Sequence, residues 1–201
     1  MPESPKTTIY FVRHAQAENP NGIYYGRMPG FHLSSEGREQ AKKLGEYFKD
    51  KPIEIIYTSP LERTYETANI ISESLPKVNI IHDYDLIEVN MIGWQSLKYD
   101  EALKNEEHEH FMNDSLASLQ GENLTQISER MKQVAAGICQ KHAGRQIICV
   151  THEFPISALE LRLKNQPLEE IKAINKATGS ITKIVLDEAC NLVESDYIEL
   201  S

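Results

Sequence analysis

The chain has no apolar run longer than a strand, so nothing in it reads as a membrane span. Its three cysteines, Cys139, Cys149 and Cys190, are unequally spaced and make no C-x-x-C pair. That excludes a complete disulfide framework and points to free thiols in a reducing compartment. There is no Gly-Lys dipeptide, and therefore no P-loop of the nucleotide-triphosphatase type. Positive charge is scarce: 21 Lys and Arg stand against 30 Asp and Glu, a formal net charge of -9, with no basic cluster. Nucleic acid and anionic membrane are disfavoured as partners, because neither finds the phosphate-neutralising footprint it needs. The amino terminus, Met-Pro-Glu-Ser-Pro-Lys, lacks the pattern of a signal peptide, and the expected location is cytoplasmic. No internal repeat or low-complexity tract interrupts the 201 residues. With 40% hydrophobic positions, one sizeable core and a single domain over residues 1–201 are expected.

What the chain does have is a pair of matching strand ends. Ile9-Tyr10-Phe11-Val12 runs directly into Arg13-His14, and Ile147-Ile148-Cys149-Val150-Thr151 runs into His152. A third short strand, residues 53–58, leads to Ser59-Pro60-Leu61-Glu62-Arg63. If the three strands are parallel, two arginines and two histidines meet at one rim, where ligands bind in open α/β sheets. A chain this acidic repels anions at long range, so any anion it recognises must be held by such a local concentration of cations.

The rest alternates between helix and strand. Helical spacing of Ala41, Leu44, Tyr47 and Phe48 predicts a helix over 35–50, with Ser34 as its N-cap. Ser59 as cap, Pro60 at the first helical position and Glu62 three after the cap predict a second helix opened by a capping box, with Arg63 in its first turn. A strand at 78–82, an amphipathic helix at 124–142, a helix from Pro155 to residue 163, and a hairpin of 180–186 with 192–199 complete the pattern. This predicts an α/β three-layer sandwich: a mostly parallel sheet, helices on both faces and an antiparallel carboxyl-terminal edge. Residues 86–123 break the alternation. They predict one short helix at 97–105 and an acidic, histidine-bearing run at 106–110, together an excursion over the strand ends of the kind that selects substrate.

These pieces resemble the histidine phosphatase superfamily, also called phosphoglycerate mutase-like. The resemblance rests on Arg13-His14-Ala15, on Leu-Ser-x-x-Gly from Leu33 to Gly37, and on Ser-x-Leu-x-Arg-x-x-x-Thr-Ala from Ser59 to Ala68. It continues through Leu86-Ile87-Glu88 with Gly93-Trp94, Gly121-Glu122-Asn123, and Val150-Thr151-His152, over nearly the whole chain. It implies that His14 is a nucleophile forming a phosphohistidine and that Arg13, Arg63 and His152 bind phosphoryl oxygens. It further implies that Glu88 is the general acid and then the base. The implied activity is a phosphomonoesterase acting on a small anionic metabolite with no metal and no other cofactor. A mutase that retains its phosphoryl group and a catalytically silent phosphate-binding module are the alternatives.

Several residues depart from the family pattern or stay open. Ala15 stands where a glycine usually follows the nucleophile, and Asn19 stands five residues after His14 rather than six. Glu153-Phe154 replaces the usual glycines after His152; Glu153 either repels a doubly charged substrate, orients His152 or points away. In the loop of residues 15–33, Tyr25 and Arg27 either contact substrate or cover the core. His108 and His110, at i and i+2, fall on different faces of a helix and are read as part of a solvated acidic face rather than a metal site. His32, His82 and His142 carry no signal.

Overall fold

The structure is a computed structural model that describes residues 5–117 and 119–200. The amino-terminal residues 1–4, on which most of the expectation of no signal peptide rests, and residue 118 of the excursion lie outside that description.

Six strands form one sheet in the order β3-β2-β4-β1-β5-β6. They are β1 (Thr7–Arg13), β2 (Ile53–Thr58), β3 (Asn79–His82), β4 (Gln146–Thr151), β5 (Ile181–Leu186) and β6 (Leu192–Ile198). The first four run parallel, β5 pairs antiparallel with β1, and β6 antiparallel with β5, the expected mixed sheet. The central strands are apolar and β-branched at nearly every position because both of their faces are covered. Alternate residues of β1 divide between two cores: Tyr10 and Val12 pack with Leu44, Phe48 and Ile71, whereas Ile9 and Phe11 pack with Ile127, Met131 and Leu159. Helices α1 (Ser35–Phe48) and α2 (Glu62–Glu73) therefore cover one face, and α5 (Leu124–Lys141) and α6 (Glu153–Leu163) the other. β6 is largely exposed and polar, as suits a sheet edge.

Local signals place most of the boundaries. Ser34 Oγ accepts the Gly37 N–H at 3.0 Å, capping α1 as expected. A Cβ at Gly37 would lie 2.0 Å from the Gln16 carbonyl oxygen, so glycine lets this helix start press against the loop that follows His14. Asn123 and Gln126 form a capping box at the start of α5.

Three expectations are corrected. First, α2 begins at Glu62 after Leu61, with no side-chain cap. The Ser59 hydroxyl is instead drawn to His152 Nε2 at 2.8 Å. Second, the helix expected at 97–105 is only the short α3 (Tyr99–Ala102). Asn105 caps a separate α4 (Glu106–Asn113) by accepting the His108 N–H at 3.1 Å. Third, α4 is not solvated throughout: His110 is exposed, but His108 is buried beneath Trp94, with ring centroids 5.8 Å apart. The excursion thus packs into the core beneath α5 and α6 through Met91, Trp94 and Phe111, and Phe111 meets Phe154 of α6 edge-on at 5.2 Å. Among the described residues, no helix is long and apolar enough to cross a membrane.

Candidate active site

Parallel pairing carries the site residues to one rim. Arg13 ends β1 opposite Thr151 of β4. Just past the strand ends the ladder continues, with the His14 N–H on the Thr151 carbonyl and the Ser59 N–H on the Val150 carbonyl, both at 2.9 Å. His14 and Ser59 are therefore fixed by main-chain bonds, His152 is fixed at the start of α6 by the Ile156 N–H on its carbonyl at 3.2 Å, and Arg63 reaches them from the first turn of α2.

The His14 ring has a defined tautomer. Nδ1 lies 2.8 Å from the Ala15 carbonyl, which can only accept, so Nδ1 carries the proton. Nε2 then holds the lone pair, and Arg63 Nε donates to it at 3.2 Å. Burial first, then the Arg63 and Arg13 charges, lower the His14 pKa well below the ordinary imidazole value, so the ring is neutral at pH 7. Ala15 causes no strain, since it is not among the residues with positive φ; its N–H donates to Thr67 Oγ1 at 3.1 Å.

Two guanidiniums supply positive charge around the His14 ring. Arg63 is fully buried, with its guanidinium 4.7 Å from the centroid of the Tyr25 ring. Its Nη2 donates to the Gly26 carbonyl at 2.8 Å and to His152 Nδ1 at 3.2 Å. Arg13 Nη1 donates to the Lys176 carbonyl and to Glu153 Oε2, the latter at 2.8 Å. Arg63 Nη1 and Arg13 Nε are buried and have no acceptor among the described residues. Buried donors are normally paired, so these two N–H groups are available to the oxygens of an anion. His152 completes the set: Nδ1 accepts from Arg63, which leaves the proton on Nε2 facing Ser59. Burial and then Arg63 hold its pKa well below the ordinary value.

Glu88 enters from the loop after the 3₁₀ turn Tyr84–Leu86. Oε1 accepts the Val89 N–H at 2.9 Å, and Oε2 lies 3.9 Å from His152 Nδ1. Burial pushes its pKa from 4.5 up to about 7, against the opposing pull of the Val89 N–H, Arg63 and Arg13. A carboxyl that titrates near neutrality can both give and take a proton.

A brace that sequence reasoning missed holds this loop. Arg27 Nε donates to the Glu88 carbonyl at 2.7 Å, and Arg130 Nη1 to the Ile87 carbonyl at 3.0 Å. Both guanidiniums are tied to Glu122, at 2.5 and 3.0 Å, and Glu122 also accepts the Asn90 N–H at 3.1 Å. The only signal for it was Gly121-Glu122-Asn123, which carried no assigned role. Ser59, read as a cap, was missed in the same way as the hydroxyl that orients His152.

A cavity of about 270 Å³ opens on His14, with Arg13, Glu88, Tyr25, Glu153 and Phe154 in its wall. The structure thus brings together His14, Arg13, Arg63, His152, Glu88, Tyr25 and Glu153. It does not bring in Arg27, whose charge is engaged by Glu122. Asn19 bonds the Ile23 backbone and the Tyr99 hydroxyl, at 2.9 and 3.0 Å from Nδ2. It lines an adjoining recess of about 540 Å³. His142, read as silent, is buried between the Tyr57 hydroxyl at 2.9 Å and Glu54 at 2.5 Å, on the opposite side of β2 from α2.

Fold and site together define an α/β architecture with two histidines and two arginines gathered at the carboxyl ends of parallel strands. The model of the histidine phosphatase superfamily (branch 1) matches residues 9–196, and the chain belongs to that superfamily. An uncharacterised protein of Mycobacterium tuberculosis is 32% identical over 190 residues, covering 93% of each chain. Phosphoserine phosphatase 1 of Hydrogenobacter thermophilus is 27% identical over 190 residues, covering 92% of this chain and 89% of its own. Among solved structures, Bacillus stearothermophilus YhfR superposes with a TM-score of 0.84 at 25% identity, covering 93% of this chain and 94% of its own.

Proposed function

We propose that the protein is a phosphomonoesterase that hydrolyses a small phosphorylated metabolite through a phosphohistidine on His14, acting as a single domain over residues 1–201 in the cytoplasm. The observation that carries this reading is the neutral His14 ring, whose unprotonated Nε2 accepts from the buried Arg63, while Arg63 Nη1 and Arg13 Nε have no acceptor among the described residues. A relative with phosphoserine phosphatase in its name supports the same reaction type.

The phosphoryl group sits with its oxygens on Arg13, Arg63 and His152; His152 Nδ1 gives up its bond from Arg63 and takes a proton from solvent to become a donor as the anion enters. His14 Nε2 attacks phosphorus, the P–O bond to the alcohol breaks, and Glu88 gives its proton to the departing oxygen. Arginine N–H groups stabilise charge on the equatorial oxygens throughout. Water then attacks the phosphohistidine and passes its proton to the Glu88 carboxylate; the P–N bond breaks and inorganic phosphate leaves. The positive charge needed in the transition state is supplied by side chains, so the reaction runs without a metal ion.

The test is hydrolysis of nitrophenyl phosphate with excess chelator present, alongside 3-phosphoglycerate supplied with its bisphosphate primer. Release of phosphate that survives the chelator supports the reading. Loss of activity that one divalent ion restores, or isomerisation without release of phosphate, contradicts it.

A further inference from the structure

We infer, on the hydrolase reading above, that the leaving alcohol of the substrate carries no negative charge, and that Glu153 is the residue that enforces this. The positive charge near His14 is fully assigned. Arg13 and Arg63 face the phosphoryl position, and Arg13 is already balanced by Glu153 at 2.8 Å. Other cations of the surrounding segments are held elsewhere: Lys176 is paired with Glu160 at 2.6 Å, and Arg27 and Arg130 with Glu122 at 2.5 and 3.0 Å. Among the described residues lining the cavity, Arg13 is the only lysine or arginine. The adjoining recess, which shares Arg13, Tyr25 and Tyr99, adds Glu18 and no further cation.

A carboxylate or second phosphate on the leaving alcohol would therefore lie against Glu153 with nothing to pair it, in a partly dehydrated wall where such a charge is penalised. Glu153 cannot readily turn away, because Oε1 accepts the Lys176 N–H at 3.1 Å while Oε2 holds Arg13. Much of the remaining wall is apolar or aromatic: Tyr24, Met91, Tyr99 and Phe154. Such a surface accepts a neutral alcohol and also an ammonium group, which aromatic faces attract. The net charge of -9 acts in the same sense at long range.

The experiment compares the phosphate monoesters of propanol, 3-aminopropanol and 3-hydroxypropanoate, which differ at one end only. Wild-type kcat/KM for the hydroxypropanoate ester is expected to be lower than for the propanol ester by on the order of 10-fold or more, with the aminopropanol ester equal to or above propanol. Glu153→Gln should raise the ratio of hydroxypropanoate to propanol by on the order of 10-fold. Calorimetric titration of the same three esters into His14→Ala gives the order of binding without turnover. No hydrolysis of any ester, with the binding order as stated, would sink the hydrolase reading and leave this inference standing. Hydrolysis with the carboxylate ester as good as or better than propanol, no binding of any ester, or a ratio unmoved by Glu153→Gln would overturn the inference.

Discussion

Arg63 donates its Nε–H to Nε2 of His14 at 3.2 Å, so a permanent cation sits on the nitrogen that the mechanism requires to attack. Burial first, and then that contact, keep the imidazole unprotonated, and the guanidinium places donors where phosphoryl oxygens would arrive. It is held by the full burial of Arg63 and by the Gly26 carbonyl at 2.8 Å.

Replacing that planar fork with a point charge should be costly. Arg63→Lys cannot reach His14, His152 and the Gly26 carbonyl together, and kcat/KM for nitrophenyl phosphate is expected to fall on the order of 10²-fold or more. Inhibition by inorganic phosphate should weaken in parallel. A loss of only a few-fold, with phosphate inhibition unchanged, would remove Arg63 from the phosphoryl site.

Glu88 should set the alkaline limb of the rate. Its pKa of about 7 means that the acid form, needed to protonate an alkoxide, is present below that pH and lost above it. The kcat/KM for an alkyl ester is therefore expected to decline above about pH 7. Glu88→Gln should remove that limb and slow alkyl esters by on the order of 10²-fold, with aryl esters less affected in single-turnover phosphorylation. Stability follows the same linkage: a raised folded-state pKa favours the fold below the unfolded pKa and loses that contribution as pH rises through about 7. Glu88→Gln should accordingly raise Tm at pH 8 more than at pH 5. Equal, small defects on both ester classes and a flat difference in Tm would leave Glu88 as an ordinary carboxylate.

Glu122 should act through Glu88 rather than on substrate. Glu122→Ala frees Arg27 and Arg130, which hold the Glu88 and Ile87 carbonyls. The expected result is a fall in kcat for alkyl esters by on the order of 10-fold, with KM little changed. A destabilisation of about 1–3 kcal/mol in denaturant unfolding should accompany it. A raised KM with kcat intact would place Glu122 in substrate binding instead.

Legibility from sequence followed range of interaction. The strand-end His14 and His152 and the helix-start Arg63 were readable because parallel pairing converts short local patterns into one rim. The Ser34 cap was readable for the same local reason. Ser59 was misread because its hydroxyl had two suitors, its own helix and a histidine 93 positions away, and only the tertiary structure chooses between them. The Arg27–Glu122–Arg130 brace links three segments that share no periodicity, so its one local trace, Gly121-Glu122-Asn123, pointed to no partner. His108 looked solvated among acidic neighbours, and its burial depends on Trp94 arriving from a separate turn. Glu153 was visible as a departure, but its pairing with Arg13, which was not among the alternatives read for it, depended on the path of the Lys176 segment.

The central claim, covalent catalysis by His14, is tested most directly by quenching the enzyme during turnover of a radiolabelled phosphomonoester. Wild type should carry a label that is stable in base and lost in acid, as a phosphohistidine is, and His14→Ala should carry none while keeping its fold by circular dichroism. Label that persists in His14→Ala, or turnover by wild type with no trapped label and an unimpaired His14→Ala, would contradict the account.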